Sequence, residues 1–163
     1  PVASVERIRK FHDELRTIRR DIHAHPELAF QENRTADLVA ARLAAWGVEV
    51  HRGLAKTGIV GVVKGRSAGS GRAIGLRADM DCLPMHETND IPHKSTHAGR
   101  MHACGHDGHT TMLLGTARYL AETRNFDGTA YLIFQPAEEG GGGGRIMVEE
   151  GLFERFQIGR AHV

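Results

Sequence analysis

The hydrophobic period changes along this chain, and that change limits what it can fold into. Val5, Ile8, Phe11, Leu15, Ile18 and Ile22 recur at steps of three and four, the spacing of one helix face. The spacing predicts a helix over 4–24, with Ser4 as N-cap and Pro26 marking its end. A second helix is predicted from Asn33 to Trp46, closed by Gly47. The period then shortens. Val48–His51, Gly58–Lys64 and Ala73–Ala78 are brief runs of apolar or β-branched residues, as strands require. A helix follows over Gly108–Glu122, with Met112, Leu113, Ala117 and Leu120 on one face. A strand is predicted at Gly128–Phe134 and a short helix near Arg145–Glu150. Helices alternating with apolar strands predict an α/β layer architecture.

Composition narrows the function classes. The 163 residues suffice for one domain, since domains of about 100–150 residues are commonest. Lys and Arg number 21 against 20 Asp and Glu, a net charge of +1, which argues against a nucleic-acid partner. No apolar run approaches the roughly 18–20 residues that span a bilayer. With no membrane segment and no signal peptide read at its start, the expected location is the cytoplasm. Two cysteines make no disulfide framework. The anomaly is histidine: five of eleven, His93, His97, His102, His106 and His109, crowd into one stretch. Residues 80–106, polar and rich in chain breakers, are read as one long ordered loop, and such loops are usually functional.

The strongest chemical signal is Met101-His102-Ala103-Cys104-Gly105-His106-Asp107-Gly108-His109. Thiolate and imidazole are favoured ligands of zinc and its neighbours. Cys104 and His106 stand two apart, on one side of an extended segment if the chain is extended there. Asp107 and His109 are available as further ligands or as partners behind the ligands. A surface loop with incidental histidines and a structural zinc site are the alternatives. The paired Cys spacing usual in structural sites is missing.

The second signal is Phe134-Gln135-Pro136-Ala137-Glu138-Glu139-Gly140, followed by a tract of glycines through Gly144. Adjacent carboxylates beyond the end of a strand can divide labour. One ligates a metal and the other works as general base. The alternative is a solvated acidic turn. Leu76-Arg77-Ala78-Asp79-Met80-Asp81 offers Asp-x-Asp at another strand end, as ligands, orienting groups or a simple ion pair. His23-Ala24-His25-Pro26-Glu27 offers a possible metal pair or a structural role where a helix ends. The glycine tract lacks the Gly-Lys-Ser/Thr of a phosphate loop, and no Gly-x-Ser-x-Gly elbow supports a serine hydrolase.

These blocks, together with Arg19-Arg20-Asp21-Ile22 ahead of His23, resemble in order the signature blocks of the M20 metallopeptidase family, in its amidohydrolase branch. That branch holds hippurate hydrolases, N-acyl-amino-acid amidohydrolases and auxin-conjugate hydrolases. The resemblance covers nearly all of residues 1–156. It implies part of a di-metal aminopeptidase-like catalytic domain, with helices packed on a mixed sheet. It implies a hydrolase cleaving the amide bond of N-acyl amino acids through a metal-activated water, with two divalent ions, zinc, manganese, cobalt or nickel. It places Cys104, His106 and Glu139 as metal ligands and Glu138 as general base, with Asp81 supporting the catalytic group. The expected partner is a small N-acyl amino acid, with no nucleic acid or membrane, and a homo-oligomer for the full-length protein. A non-catalytic metal-binding remnant and a cysteine hydrolase using Cys104 are the rival readings.

Members of the family are longer. A lid or dimerisation domain is inserted, and the catalytic domain then resumes. The resemblance therefore implies an N-terminal part of the catalytic domain, inactive as an amidase by itself. Residues 157–163 are more polar than the buried strand expected there, and Ile158–Val163 can be spelled by translating a common sequencing adapter. They are read as a tail foreign to the native sequence, with His162 a coincidental histidine short of the expected ligand position.

Overall fold

A computed structural model describes residues 2–67 and 69–158. The elements run α1 (Val2–Arg9), α2 (His12–Ala24), α3 (Asn33–Ala45), β1 (Glu49–Leu54), β2 (Gly58–Lys64) and β3 (Ala73–Asp79). After a long loop come α4 (His106–Thr123), β4 (Thr129–Gln135), α5 (Gly143–Glu149) and α6 (Leu152–Phe156). The strands form one mixed sheet in the order β1-β2-β4-β3. β1–β2 and β2–β4 are antiparallel, and β3–β4 is parallel. The α/β expectation, helices on a mixed sheet, is met.

Alternation along the strands gives the sheet two apolar faces. Ile59 and Val63 of β2, with Leu132 and Phe134 of β4, pack against Ile18, Ile22, Val39, Leu43 and Leu114 from α2, α3 and α4. Val60, Val62 and Ile133 point the other way, to Met147, Leu152 and Phe156. Gly61 keeps α3 close, since a Cβ there would lie 3.2 Å from Leu43 Cδ1. Burial on both faces explains why β2 reads as a continuous apolar run.

Three expectations are corrected. The helix predicted over 4–24 breaks at Lys10 and Phe11, giving α1 and α2. Two successive three-residue steps, Val5 to Ile8 to Phe11, rotate the apolar stripe by about 120° on a 3.6-residue helix. One straight helix cannot bury all of it: Phe11 is buried and Val5 is exposed. Ser4 is not an N-cap. It lies inside α1, where its hydroxyl hydrogen-bonds the Tyr119 hydroxyl at 3.0 Å. Met112 is not on the buried face of α4. It is 63% exposed, one residue and about 100° around the helix from buried Leu113.

The topology gathers three loops at one end of the sheet. β3 and β4 run parallel and finish level, Asp79 opposite Gln135, and the Met80 amide donates to the Gln135 carbonyl at 3.0 Å. α4, the crossover between them, starts at the same end with His106. Residues 80–105 hold no helix or strand, apart from a bridge between Leu83 and Met101. The expectation of a long ordered loop is met. Among the described residues no helix is long and apolar enough to cross a membrane.

Candidate metal centre

His106, the first residue of α4, is buried beneath this end of the sheet. Its Nδ1 lies 2.9 Å from the Asp81 carbonyl oxygen and 3.3 Å from Asp81 Oδ1. Donation from Nδ1–H to that carbonyl leaves Nε2 as the free end of the ring. Nε2 faces three carboxylates: Asp79 Oδ1 at 3.5 Å, Glu138 Oε2 at 3.8 Å and Glu139 Oε1 at 3.9 Å. Burial opposes charging of this imidazole. The Asp81 hydrogen bond and the nearby Asp79 outweigh it and raise the pKa to about 9.

Cys104 and His106 do not share an extended segment. Gly105 takes a left-handed conformation, φ +88°, and caps α4. This turn, open to glycine without strain, swings the exposed Cys104 toward His106. A thiol sulfur, an imidazole nitrogen and a carboxylate oxygen from Cys104, His106 and Glu139 all lie within 4.8 Å of one another. Beside Glu139, to which it hydrogen-bonds, the Cys104 thiol has its pKa raised. Soft and borderline donors with one carboxylate, around a buried and tautomer-fixed imidazole, fit a divalent transition metal.

Glu138 and Glu139 stand on a tight turn after β4. The Glu139 amide donates to Asp81 Oδ2 at 2.9 Å, and the Gly140 amide to the Glu138 carbonyl at 2.8 Å. Glu139 is the less exposed side chain, 27% against 42% for Glu138. Asp81 is wholly buried. Burial raises its pKa, but hydrogen bonds from His106 and from the Glu139 and Glu138 amides more than offset this and lower it. Asp81 thus touches both His106 and the glutamate turn.

A second group of possible ligands shares His106: Asp79, His106 and His109 again bring one donor atom each within 4.8 Å. His109 Nδ1 and Asp79 Oδ1 are 2.7 Å apart, and the Thr110 hydroxyl donates to the Asp79 carbonyl at 2.8 Å. The Asp-x-Asp signal and the helix-start histidine meet here.

His23 and His25 do not act as a pair. His23 is buried between Asp107 Oδ2, 3.0 Å from Nδ1, and Glu87 Oε1, 3.1 Å from Nε2. His25 Nδ1 turns instead to the Asp21 carbonyl at 2.8 Å. The Ser95 amide donates to Glu87 at 2.6 Å, so this network ties the histidine-rich loop to α2 and α4. Sequence reasoning missed Glu87 and also Glu32, a buried carboxylate beneath the glutamate turn. Neither sits in a local pattern that sets it apart from surface glutamate. His162 lies outside the described residues.

Known proteins resemble this chain across most of its length. The model of peptidase family M20/M25/M40 matches residues 75–163. Hippurate hydrolase of Campylobacter jejuni is 54% identical over 143 residues, covering 88% of this chain and 37% of that protein. The IAA-amino acid hydrolase ILR1-like 4 of Arabidopsis thaliana is 50% identical over 147 residues, 88% of this chain and 32% of that protein. The crystal structure of the YXEP protein of Bacillus subtilis, a dinuclear metal-binding peptidase, matches with TM-score 0.84 at 42% identity, covering 90% of this chain and 41% of that one. The chain therefore spans about a third of the length of these curated relatives.

Proposed function

The chain belongs to peptidase family M20/M25/M40, and on that premise we propose that it forms part of the catalytic site of a metal-dependent amidohydrolase acting on N-acyl amino acids. In this reading Cys104, His106 and Glu139 are metal ligands, Glu138 is the general base, and Asp79 and His109 stand ready beside them. The observation that carries it is the meeting of thiol, imidazole and carboxylate within 4.8 Å at the end of a parallel strand pair. The substrate class rests on the relatives named above, since hippurate and IAA–amino acid conjugates are both acylated amino acids.

When bound, divalent ions would supply Lewis-acid polarisation of the scissile carbonyl and stabilise the charge that develops on its oxygen. The chain's own groups do the rest. Asp81 fixes the His106 tautomer, so that Nε2 presents its lone pair. Glu138, the more exposed carboxylate, takes the proton of the attacking water and delivers it to the leaving amine nitrogen. Glu139 is committed to Cys104 and His106. The raised pKa of Cys104 disfavours the rival in which this thiol is the nucleophile, which needs a depressed one.

The test is release of free amino acid from hippurate and other N-acyl amino acids by the protein as its gene encodes it. Turnover should vanish with excess chelator and return with added zinc, manganese, cobalt or nickel. Turnover that survives the chelator and falls to thiol alkylation would instead make Cys104 the nucleophile. Tight metal binding with no turnover of any N-acyl amino acid would leave only a metal-binding module.

A further inference from the structure

Glu32 is wholly buried and lies outside the donor set. Its side chain joins segments distant in sequence. Oε1 accepts the Ala137 amide at 2.8 Å, and Oε2 accepts the Thr57 hydroxyl at 2.6 Å. Its own carbonyl accepts the Ala36 amide at 2.9 Å, in the first turn of α3. Thr57 belongs to the turn between β1 and β2, and Ala137 opens the turn that bears Glu138 and Glu139.

Ala137 sits at φ +52°, the left-handed region that disfavours residues with a Cβ. Its surroundings leave little room to relax. The Gly143 amide donates to the Ala137 carbonyl at 3.0 Å. A Cβ on Gly143 would fall 1.8 Å from the Pro136 carbonyl oxygen, and one on Gly141 would fall 2.6 Å from Ala137 Cβ. Without Glu32 the buried Ala137 amide loses its partner, and such groups are rarely left unpaired. Asp81 holds the next part of the same turn, at the Glu139 amide. Two buried carboxylates thus grip the glutamate turn from either side.

We propose that Glu32 is a positioning residue for the Glu138–Glu139 pair. By accepting the Ala137 amide it holds that residue in the left-handed conformation. This aims the Glu139 carboxylate at Cys104 and His106 and leaves Glu138 on the open side. The inference rests on the metal-centre reading proposed above. What the role needs is two hydrogen-bonding atoms, not a charge. Glutamine keeps an oxygen for the Ala137 amide and an N–H for the Thr57 oxygen. Leucine fills a similar volume and offers neither.

The test loads the full chain with cobalt(II), whose thiolate and ligand-field absorption reports Cys104 and the donor geometry, in wild type, Glu32→Gln, Glu32→Leu and the core variant Val39→Ala. Glu32→Gln should keep the wild-type spectrum and affinity. Glu32→Leu should bind about 10-fold or more weakly, the usual scale for partners behind a ligand, with a shifted ligand-field band. Val39→Ala, destabilised in the core beside α3, should keep both. Amide hydrogen exchange without metal supplies a second readout. Ala137, Glu138 and Glu139 should exchange faster in Glu32→Leu but not in Glu32→Gln, while β4 stays protected. If Glu32→Leu does not fold, Glu32→Asp, one methylene short of both partners, takes its place.

The proposal is overturned if Glu32→Leu keeps the wild-type spectrum and turn protection, or if Val39→Ala reproduces its effects. If the wild-type chain gives no thiolate–cobalt absorption, the metal-centre reading fails by itself. Exchange at 137–139 then decides the positioning role: selective acceleration in Glu32→Leu supports it, and unchanged exchange overturns it.

Discussion

The backbone amide of Glu139 donates to Oδ2 of Asp81 at 2.9 Å, so the carboxylate that lies beside the His106 imidazole also fixes where Glu139 stands. Asp81 is wholly buried, with Oδ1 3.3 Å from His106 Nδ1. Removing its charge should reach both proposed ligands, His106 and Glu139. In Asp81→Asn the His106 pKa should fall from about 9 toward the ordinary histidine value. Metal affinity should drop by about 10–100-fold, as for other groups behind a ligand. Imidazole titration by NMR in the metal-free chain, with a competitive metal titration, checks both. An unchanged pKa together with unchanged affinity would remove Asp81 from the site.

Metal binding should release protons. At pH 7 the metal-free His106 is protonated, its pKa being about 9, and the Cys104 thiol, raised above its ordinary value, is protonated too. Both must lose their protons to ligate, so binding should expel about two per ion. Calorimetric titration in buffers of different ionisation enthalpy measures this number. A binding enthalpy independent of the buffer would mean that neither group ligates.

The metal-free chain should be most stable near pH 6.5. Burial lowers the His102 pKa to about 4. Below about pH 6.5 the unfolded chain takes up a proton there that the folded chain refuses, so stability falls as pH drops toward 4. His106 works with the opposite sign. Its raised pKa gives stability that is fully present below about pH 6.5 and lost as pH rises through about 9. Thermal melts across this range should lose the acid limb in His102→Asn and the alkaline limb in His106→Asn. Limbs unchanged in both variants would contradict the assignment.

His23 should anchor the histidine-rich loop. Its ring lies between buried Asp107 and Glu87, so His23→Ala strips a partner from each. The expected loss is about 2–6 kcal/mol, at roughly 1–3 for each of the two buried groups left short of a partner. Limited proteolysis should then cut within residues 80–105 before it reaches the strands. Cleavage that begins elsewhere would assign the anchoring to other contacts.

What the sequence revealed was what is local. β2 was readable to its ends, because a run of apolar residues buried on both faces carries glycine at one end and lysine at the other. Cys104 and His106 stood out because thiol and imidazole are rare in such close spacing, and Glu138 and Glu139 because the pair follows an apolar strand between Pro136 and a glycine tract. The break at Lys10 and Phe11 was less visible, since the apolar steps remain helical in length while their direction drifts. The links from His23 to Glu87 and from Glu32 to Ala137 cross 64 and 105 positions. No spacing rule reaches across such separations. Those pairs exist only once the sheet brings its loops to one end.

The central claim is that Cys104, His106 and Glu139 together hold a divalent metal, with Glu138 beside them free for proton transfer. Its most direct test is metal content after exhaustive dialysis, for wild type, Cys104→Ser, His106→Ala, Glu139→Gln and Glu138→Gln. The account predicts metal retained in wild type and Glu138→Gln and lost in the other three. In the protein as its gene encodes it, turnover should fall by about 10²–10⁴ in Glu138→Gln, the scale of a missing general base. Equal metal content in all five proteins would contradict it.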